Sequence, residues 1–150
     1  MSLSAPSPSG TPPPDLVRVD LEHRPGRGFE GRDEHGASVV VSAGEEPSPQ
    51  GLRPTGLLLT ALGACTAIDV LAIMEKKRRP LSRYRVEITG ERAPVHPRRY
   101  TRIRVVHRVA GAGVERADVE TAVRLSAATY CSVGASLNAE VHHEVVVEKD

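Results

Sequence analysis

The stretch from Gly56 to Arg79, GLLLTALGACTAIDVLAIMEKKRR, constrains the fold more than any other part of this 150-residue chain. Thr55 is placed to cap a helix there, and at 1.5 Å per residue a helix over 56–79 would be about 36 Å long. Leu57, Leu58, Leu59, Leu62, Ile68, Val70, Leu71, Ile73 and Met74 surround its axis on most sides, the pattern of a helix buried nearly all round. Lys76, Lys77, Arg78 and Arg79 complement the negative end of the helix dipole, and Pro80 stops the helix. A membrane span is a poor reading of the same residues. Leu57 to Met74 falls short of the roughly 20 apolar residues a bilayer needs, and Asp69 inside it would cost about 2.5–3.5 kcal/mol at the bilayer centre. The helix instead asks for protein on every side.

The rest of the chain must supply that cover. Residues 1–14, MSLSAPSPSGTPPP, have almost nothing to bury and are expected to form a flexible tail, leaving 15–150 as the folded domain. Val17, Val19 and Leu21 alternate with charged residues, as in a strand with one buried face; a turn-rich segment follows, and VVVS at 39–42 reads as another strand of a meander or hairpin. Tyr84, Val86 and Ile88 form one further alternating run, and Ile103, Val105, His107 and Val109 another. Residues 115–130 read as a second helix through Val119, Ala122, Val123, Ser126 and Tyr130, and EVHHEVVVE is a last strand. This order argues for an α+β fold with an antiparallel-rich sheet. The aromatic complement is three tyrosines and one phenylalanine with no tryptophan, so the core is thin for a monomer of this length. A dimer that shares its core answers both that thinness and the all-round apolar helix.

Charge narrows the partners. Lys and Arg number 20 against 19 Asp and Glu, which gives no global field for nucleic acid or anionic lipid. The basic runs KKRR and HPRRYTRIR lack interleaved stacking aromatics and read as solvated faces. MSLSAPSPSG has neither the basic nor the apolar region of a secretory signal, so a cytoplasmic protein is expected, in a compartment where paired cysteines are more often catalytic or metal-binding than static staples.

The chain has two cysteines, Cys65 within the long helix and Cys131 in SAATYCSVGASL after the second helix. Each sits in an apolar setting, where free cysteine commonly packs as a small hydrophobe. Chemistry at Cys65 requires a thiolate, which apolar surroundings disfavour, and Cys65 lies too far from the helix start for the dipole to help. A cation must come from elsewhere, and Arg32, in GFEGRDEHG, and Arg53, just before the helix, are the candidates. A guanidinium lowers a thiol pKa and can bind a peroxide oxygen. A metal centre is not expected: there is no CxxC, the six histidines lack ligand spacing, and His142 and His143 point to opposite faces of a strand.

The block GLRPTGLLLTALGACTAIDVLAIMEKKR, followed about 65 residues later by YCSVGASL, resembles the OsmC/Ohr family of osmotically induced and organic hydroperoxide resistance proteins, over roughly residues 30–150. The resemblance implies an intertwined homodimer, with two central helices packed inside wrapping sheets. It further implies a thiol peroxidase without a bound cofactor, in which Cys65 attacks an organic hydroperoxide and its sulfenic acid condenses with Cys131. Thiols, lipoyl dithiols in the hydroperoxide-resistance branch, then reduce the disulfide. Two departures stand out. Gly56 occupies the place of a family glutamate that orients the arginine, leaving Glu45 or Glu46 as substitutes, and Arg32 matches the family arginine only through its Gly-Arg-Asp context. A non-catalytic small-molecule binder and a redox sensor with a Cys65–Cys131 disulfide are the rival readings.

Overall fold

The computed structural model describes residues 14–26, 28–43 and 50–150. The expected tail, apart from Pro14, lies outside the described residues, as do Glu45 and Glu46. The chain divides into two compact units, one ending at Arg53 and the other running Pro54–Asp150.

The first unit is an antiparallel sheet of β1 (Val19–Arg24), β2 (Gly28–Asp33) and β3 (Ser38–Val41), in that order, as the expected meander requires. Gly28 opens β2 at φ 95°, where a Cβ would stand 2.3 Å from the Val41 carbonyl oxygen, so only glycine fits. The expectation of one buried face fails for β1. Val17 precedes the strand, and Val19 and Leu21 are 61% and 64% exposed, because a three-stranded sheet alone offers nothing for that face to pack on.

The second unit is built around a long helix, α1 (Pro54–Lys76), with β4 (Arg83–Arg92), β5 (Tyr100–Ala110), α2 (Arg116–Leu125), a short α3 (Ser132–Ala135) and β6 (Glu140–Val147). Thr55 lies inside α1 and does not cap it, since Pro54 takes the first helical position, where its missing N–H costs nothing. The helix stops before Pro80. Arg78 adopts the left-handed region at φ 57°, its N–H donates to the Glu75 carbonyl, and that of Arg79 donates to the Met74 carbonyl. This is a Schellman ending with arginine where glycine is usual. Lys77 and Arg79 both bond Asp118 in the first turn of α2, so the basic cluster ties two helices together.

The sheet order is β4-β5-β6, antiparallel between β4 and β5 and parallel between β5 and β6, so α2 and α3 lie in a crossover between parallel strands. Central β5 shows both faces of the design. Ile103, Val105, His107 and Val109 are fully buried, whereas Arg104 and Arg108 bond Glu144 on β6 and Glu87 on β4 across the opposite face. Arg102 and Arg104, which lend HPRRYTRIR its basic look, are thus partnered by strand glutamates.

On α1 the buried positions Leu62, Gly63, Thr66, Val70 and Met74 form one stripe. Gly63 lets the helix approach β4: a Cβ there would stand 2.5 Å from Ile88 Cδ1. Each fully buried leucine, valine or methionine of the stripe contributes about 1.5–3 kcal/mol. Ile68, Leu71 and Leu58 lie off it and are 67%, 42% and 38% exposed, so a single chain does not bury α1 all round. Among the described residues α1 alone is long and apolar enough to cross a membrane, and its Asp69 accepts a 2.7 Å hydrogen bond from the Ser126 hydroxyl.

Candidate functional site

Cys65 and Cys131 converge within the second unit. Cys131 belongs to an apolar cluster with Leu62, Ile103 and Val105, and Cys65, half-buried, packs against the same cluster. Cys65 lies close enough to Cys131 to raise the pKa of its thiol.

The approach of Cys131 depends on a local irregularity absent from the expected helix over 115–130. Regular α-helix ends at Leu125, and Ser126–Tyr130 form a wider π turn closed by Cys131 N–H donating to the Ser126 carbonyl at 2.8 Å. Such turns are rare and cluster at functional sites. Here the π turn carries Ser126, fully buried, onto Asp69 of α1, and delivers Cys131 in extended backbone at the start of α3.

The Cys131 sulfur accepts the Gly134 N–H at 3.3 Å, and the Thr66 hydroxyl, shared with the Leu62 carbonyl, stands 3.6 Å from it. Both bonds favour a thiolate, yet burial opposes them more strongly, and proximity to Cys65 adds to burial, so the Cys131 thiol is pushed up. At neutral pH Cys131 rests as a protonated thiol, a poor nucleophile in that form.

A cavity of about 240 Å³ opens beside this sulfur, lined by Leu62, Thr66, Cys131, Gly134, Val141 and His143 among others. His143 and Ala127 also line a larger groove, of about 610 Å³, between α2 and β6. Neither cysteine lines the larger space, whereas Cys131 lines the smaller one. His143 is the half-buried end of a polar chain through the core. Tyr84 Oη lies 2.8 Å from His107 Nδ1, and His107 Nε2 lies 3.0 Å from His143 Nδ1. Burial lowers the pKa of His107 to about 4 and also lowers that of His143, with His142 adding to the second shift, while burial raises that of Tyr84. All three are neutral at pH 7.

The candidate cations belong to the first unit. Arg32 lies on β2, where its guanidinium bonds Glu30 Oε1 at 2.6 Å and reaches the Gly36 carbonyl at 3.4 Å. Glu30, two residues earlier on the same strand face, anchors Arg32, while the expected substitutes Glu45 and Glu46 lie outside the described residues. Arg53 is exposed and takes part in an interaction of its own. Gly56 sits in the first turn of α1, its carbonyl accepting the Thr60 hydroxyl at 2.9 Å. Among the described residues no cluster of His, Cys, Asp and Glu is arranged to hold a metal ion.

Sequence reasoning missed Thr66, Gly134 and the Tyr84–His107–His143 chain. A signal was present. Tyr84 and His107 fall on the apolar parity of their strands, and His143 shares the parity of Val141 and Val145.

Comparison with known proteins agrees with this geometry. Residues 45–146 match the family described as OsmC-like protein. The chain is 35% identical over 117 residues to Protein YhfA of Escherichia coli K12, covering 76% of this chain and 84% of that protein. A hypothetical protein from Aquifex aeolicus VF5 has the same fold at a TM-score of 0.79 and 28% identity, covering 91% of this chain and 98% of the other. An organic hydroperoxide resistance protein from Elizabethkingia anophelis shares the fold alone, at a TM-score of 0.65 and 12% identity, over 92% and 100% of the two chains. The long helix carrying the first cysteine, the second cysteine delivered beside it, and the matched span all place this chain in the OsmC-like family.

Proposed function

We propose that this protein is a cysteine-based reductase of organic hydroperoxides acting in oxidative stress defence, with Cys65 as the attacking residue, Cys131 as the resolving one and Arg32 as the activating cation. The observation that carries the reading is the convergence on one apolar cluster of two thiols that are 66 positions apart in the chain. The deeper burial of Cys131 supports these roles. Cys131 is the more buried and its thiol is pushed up, which suits a residue that waits as a thiol.

In the first step the Cys65 thiolate attacks the outer oxygen of the hydroperoxide. An S–O bond forms, the O–O bond breaks, and the departing alkoxide takes a proton and leaves as an alcohol. The Cys131 sulfur then attacks the Cys65 sulfenic acid; an S–S bond forms and water leaves. A dithiol of the lipoyl class returns both cysteines to thiols, becoming oxidised itself. The apolar surroundings of the pair favour an organic over an inorganic peroxide. The functional unit is a homodimer, in which a second copy covers Ile68, Leu71 and Leu58 on the exposed side of α1.

A second reading, a small-molecule binder, is favoured by Gly56 standing where the family places a glutamate. Stopped-flow oxidation by cumene hydroperoxide and by hydrogen peroxide, with products mapped by intact mass and peptide digestion, separates the two. Fast oxidation by the organic peroxide ending in a Cys65–Cys131 disulfide is expected, with Cys65→Ser inert. Slow reaction with both oxidants would transfer the assignment to the binder.

A further inference from the structure

Three polar side chains in a row inside a small apolar core are expensive unless every member is bonded, and such a row rarely persists for packing alone. Tyr84, His107 and His143 make one, with His107 fully buried between its partners. No buried side-chain nitrogen or oxygen among the described residues lacks a partner, whereas His143 Nε2 has none among the described residues. That nitrogen therefore stands at accessible space, and His143 lines the cavity that Cys131 lines. At about 30 Å³ of liquid per molecule, the cavity has room for several waters.

We propose that His143, backed by Tyr84 and His107, is the proton carrier for Cys131, taking its proton as the disulfide forms and returning it when the disulfide is reduced. The inference rests on the hydroperoxide-reductase reading and extends it to a residue outside the cysteine pair. In the forming step the Cys131 S–H bond breaks and its proton passes through cavity water to His143 Nε2. The sulfur electron pair attacks the Cys65 sulfenic sulfur, and hydroxide leaves the latter. His143 returns the proton to that hydroxide, which departs as water, so the imidazole ends neutral. In the reverse traffic a dithiol gives the proton of its first S–H to His143 as its sulfur attacks Cys65, the Cys65–Cys131 bond breaks with its electron pair passing to Cys131, and His143 hands that proton on to restore the Cys131 thiol, so the imidazole again ends neutral.

The relay explains how one ring serves as acceptor and donor. With His143 Nδ1–H donating to His107 Nε2, and His107 Nδ1–H donating to the Tyr84 oxygen, Nε2 of His143 bears a lone pair. With the order reversed, Tyr84 donates, and Nε2 carries the hydrogen. The cost of a buried imidazolium keeps the charged state transient. The other titratable or charged groups around His143 are His142 and Glu144 on β6, Arg116, Glu120 and Arg124 on α2, and Cys131 itself. From α1 comes Asp69, three residues beyond Thr66 and held by Ser126. Arg116 is occupied by Glu120 at 2.8 Å and Glu144 by Arg104 at 2.7 Å, leaving His143 as the proton carrier of the cavity.

The test uses the full-length wild type and His143→Gln, an amide that can still bond His107 but cannot carry a proton. Each is oxidised with cumene hydroperoxide between about pH 5 and 8. Dimedone trapping and intact mass then resolve sulfenic acid from disulfide. His143→Gln should slow the second phase about 100-fold relative to the first, the lower range for general acid–base catalysis. In the wild type the second phase should rise with pH through a midpoint below the ordinary imidazole range and then level off, because only neutral His143 accepts a proton; the variant should lose that midpoint. Tyr84→Phe, distant from the cavity, should shift the midpoint with a smaller change in rate. An unchanged ratio of phases, or a midpoint that survives in His143→Gln, overturns the proposal.

A second measurement does not depend on peroxide chemistry: dithiothreitol reduction of the disulfide formed with diamide, which should also be slowed in His143→Gln. A wild type that forms no sulfenic acid defeats the peroxidase reading while this measurement still judges His143. Equal reduction rates overturn the proton-carrier role alone, and a wild type that forms no disulfide even with diamide overturns both.

Discussion

Acid should destabilise this protein through His107 before its carboxylates titrate. The ring is fully buried and titrates at about 4 in the fold, against an ordinary 6.5, because burial disfavours its charged form and His143 stands beside it. The unfolded chain therefore binds a proton between these two values that the folded chain does not. Stability is complete above the unfolded value and falls as pH drops toward the folded one. Below about 4 both states are protonated and the contribution levels off. A gap of this size, at 1.36 kcal/mol per unit, is worth about 3 kcal/mol in all, of which about 2 kcal/mol is lost by pH 5. That is a large share of the 5–15 kcal/mol typical of a domain. Urea melts of the wild type and His107→Gln at fixed protein concentration, from about pH 7.5 to 4, measure it directly. The glutamine variant should start less stable at pH 7.5, having lost the ring's fit to Tyr84 and His143, and the two curves should converge on acidification. Parallel curves across the window would refute the burial argument, since the proton uptake would then belong to other groups.

Thr66→Val removes the hydroxyl 3.6 Å from Cys131 Sγ with little change of volume. Because that bond favours the thiolate, the alkylation midpoint of Cys131, read in a Cys65→Ser background, should move to higher pH; an unmoved midpoint would leave Gly134 N–H as the only bond that matters. Ile68→Glu places a charge on the exposed side of α1 and should convert the proposed homodimer to monomer in light scattering. A wild type that is monomeric at micromolar concentration, or a dimer indifferent to this change, would remove the shared-core argument.

Periodicity made most of the architecture legible. The alternation in β4 and β5 and the composition of α1 place their elements within a few residues, because those patterns follow directly from which face is buried. The failures have local causes. Nothing in ERADVETAVRLSAATY marks the change from α to π at Ser126, where the serine bonds Asp69, a partner 57 residues earlier. Pro80 suggested the stop of α1, but Arg78 makes it by taking a left-handed conformation that side-chain propensity argues against. At the site, the cysteines were found by residue type and the family resemblance, whereas the histidine chain was hidden. His107 and His143 each fit a strand pattern singly, and their contact follows from a β5–β6 register that only the parallel pairing fixes.

Asp69 gathers these threads. Read alone it is an unwanted charge in an apolar helix, a sufficient objection to a bilayer and nothing more. In the fold its carboxylate takes the hydroxyl of a serine that is wholly buried, and so fixes the rotation of α1 against the π turn. Cys65 lies four residues before Asp69, about one helical turn, and Cys131 lies five residues after Ser126, one π turn. The polar bond thus sits one turn from each thiol and sets the distance between them. An apolar pair at these positions would pack as well but would let the helix slide or rotate, since hydrophobic contact has no direction. The charge that looks out of place in the sequence is the fixed point from which the two cysteines are measured.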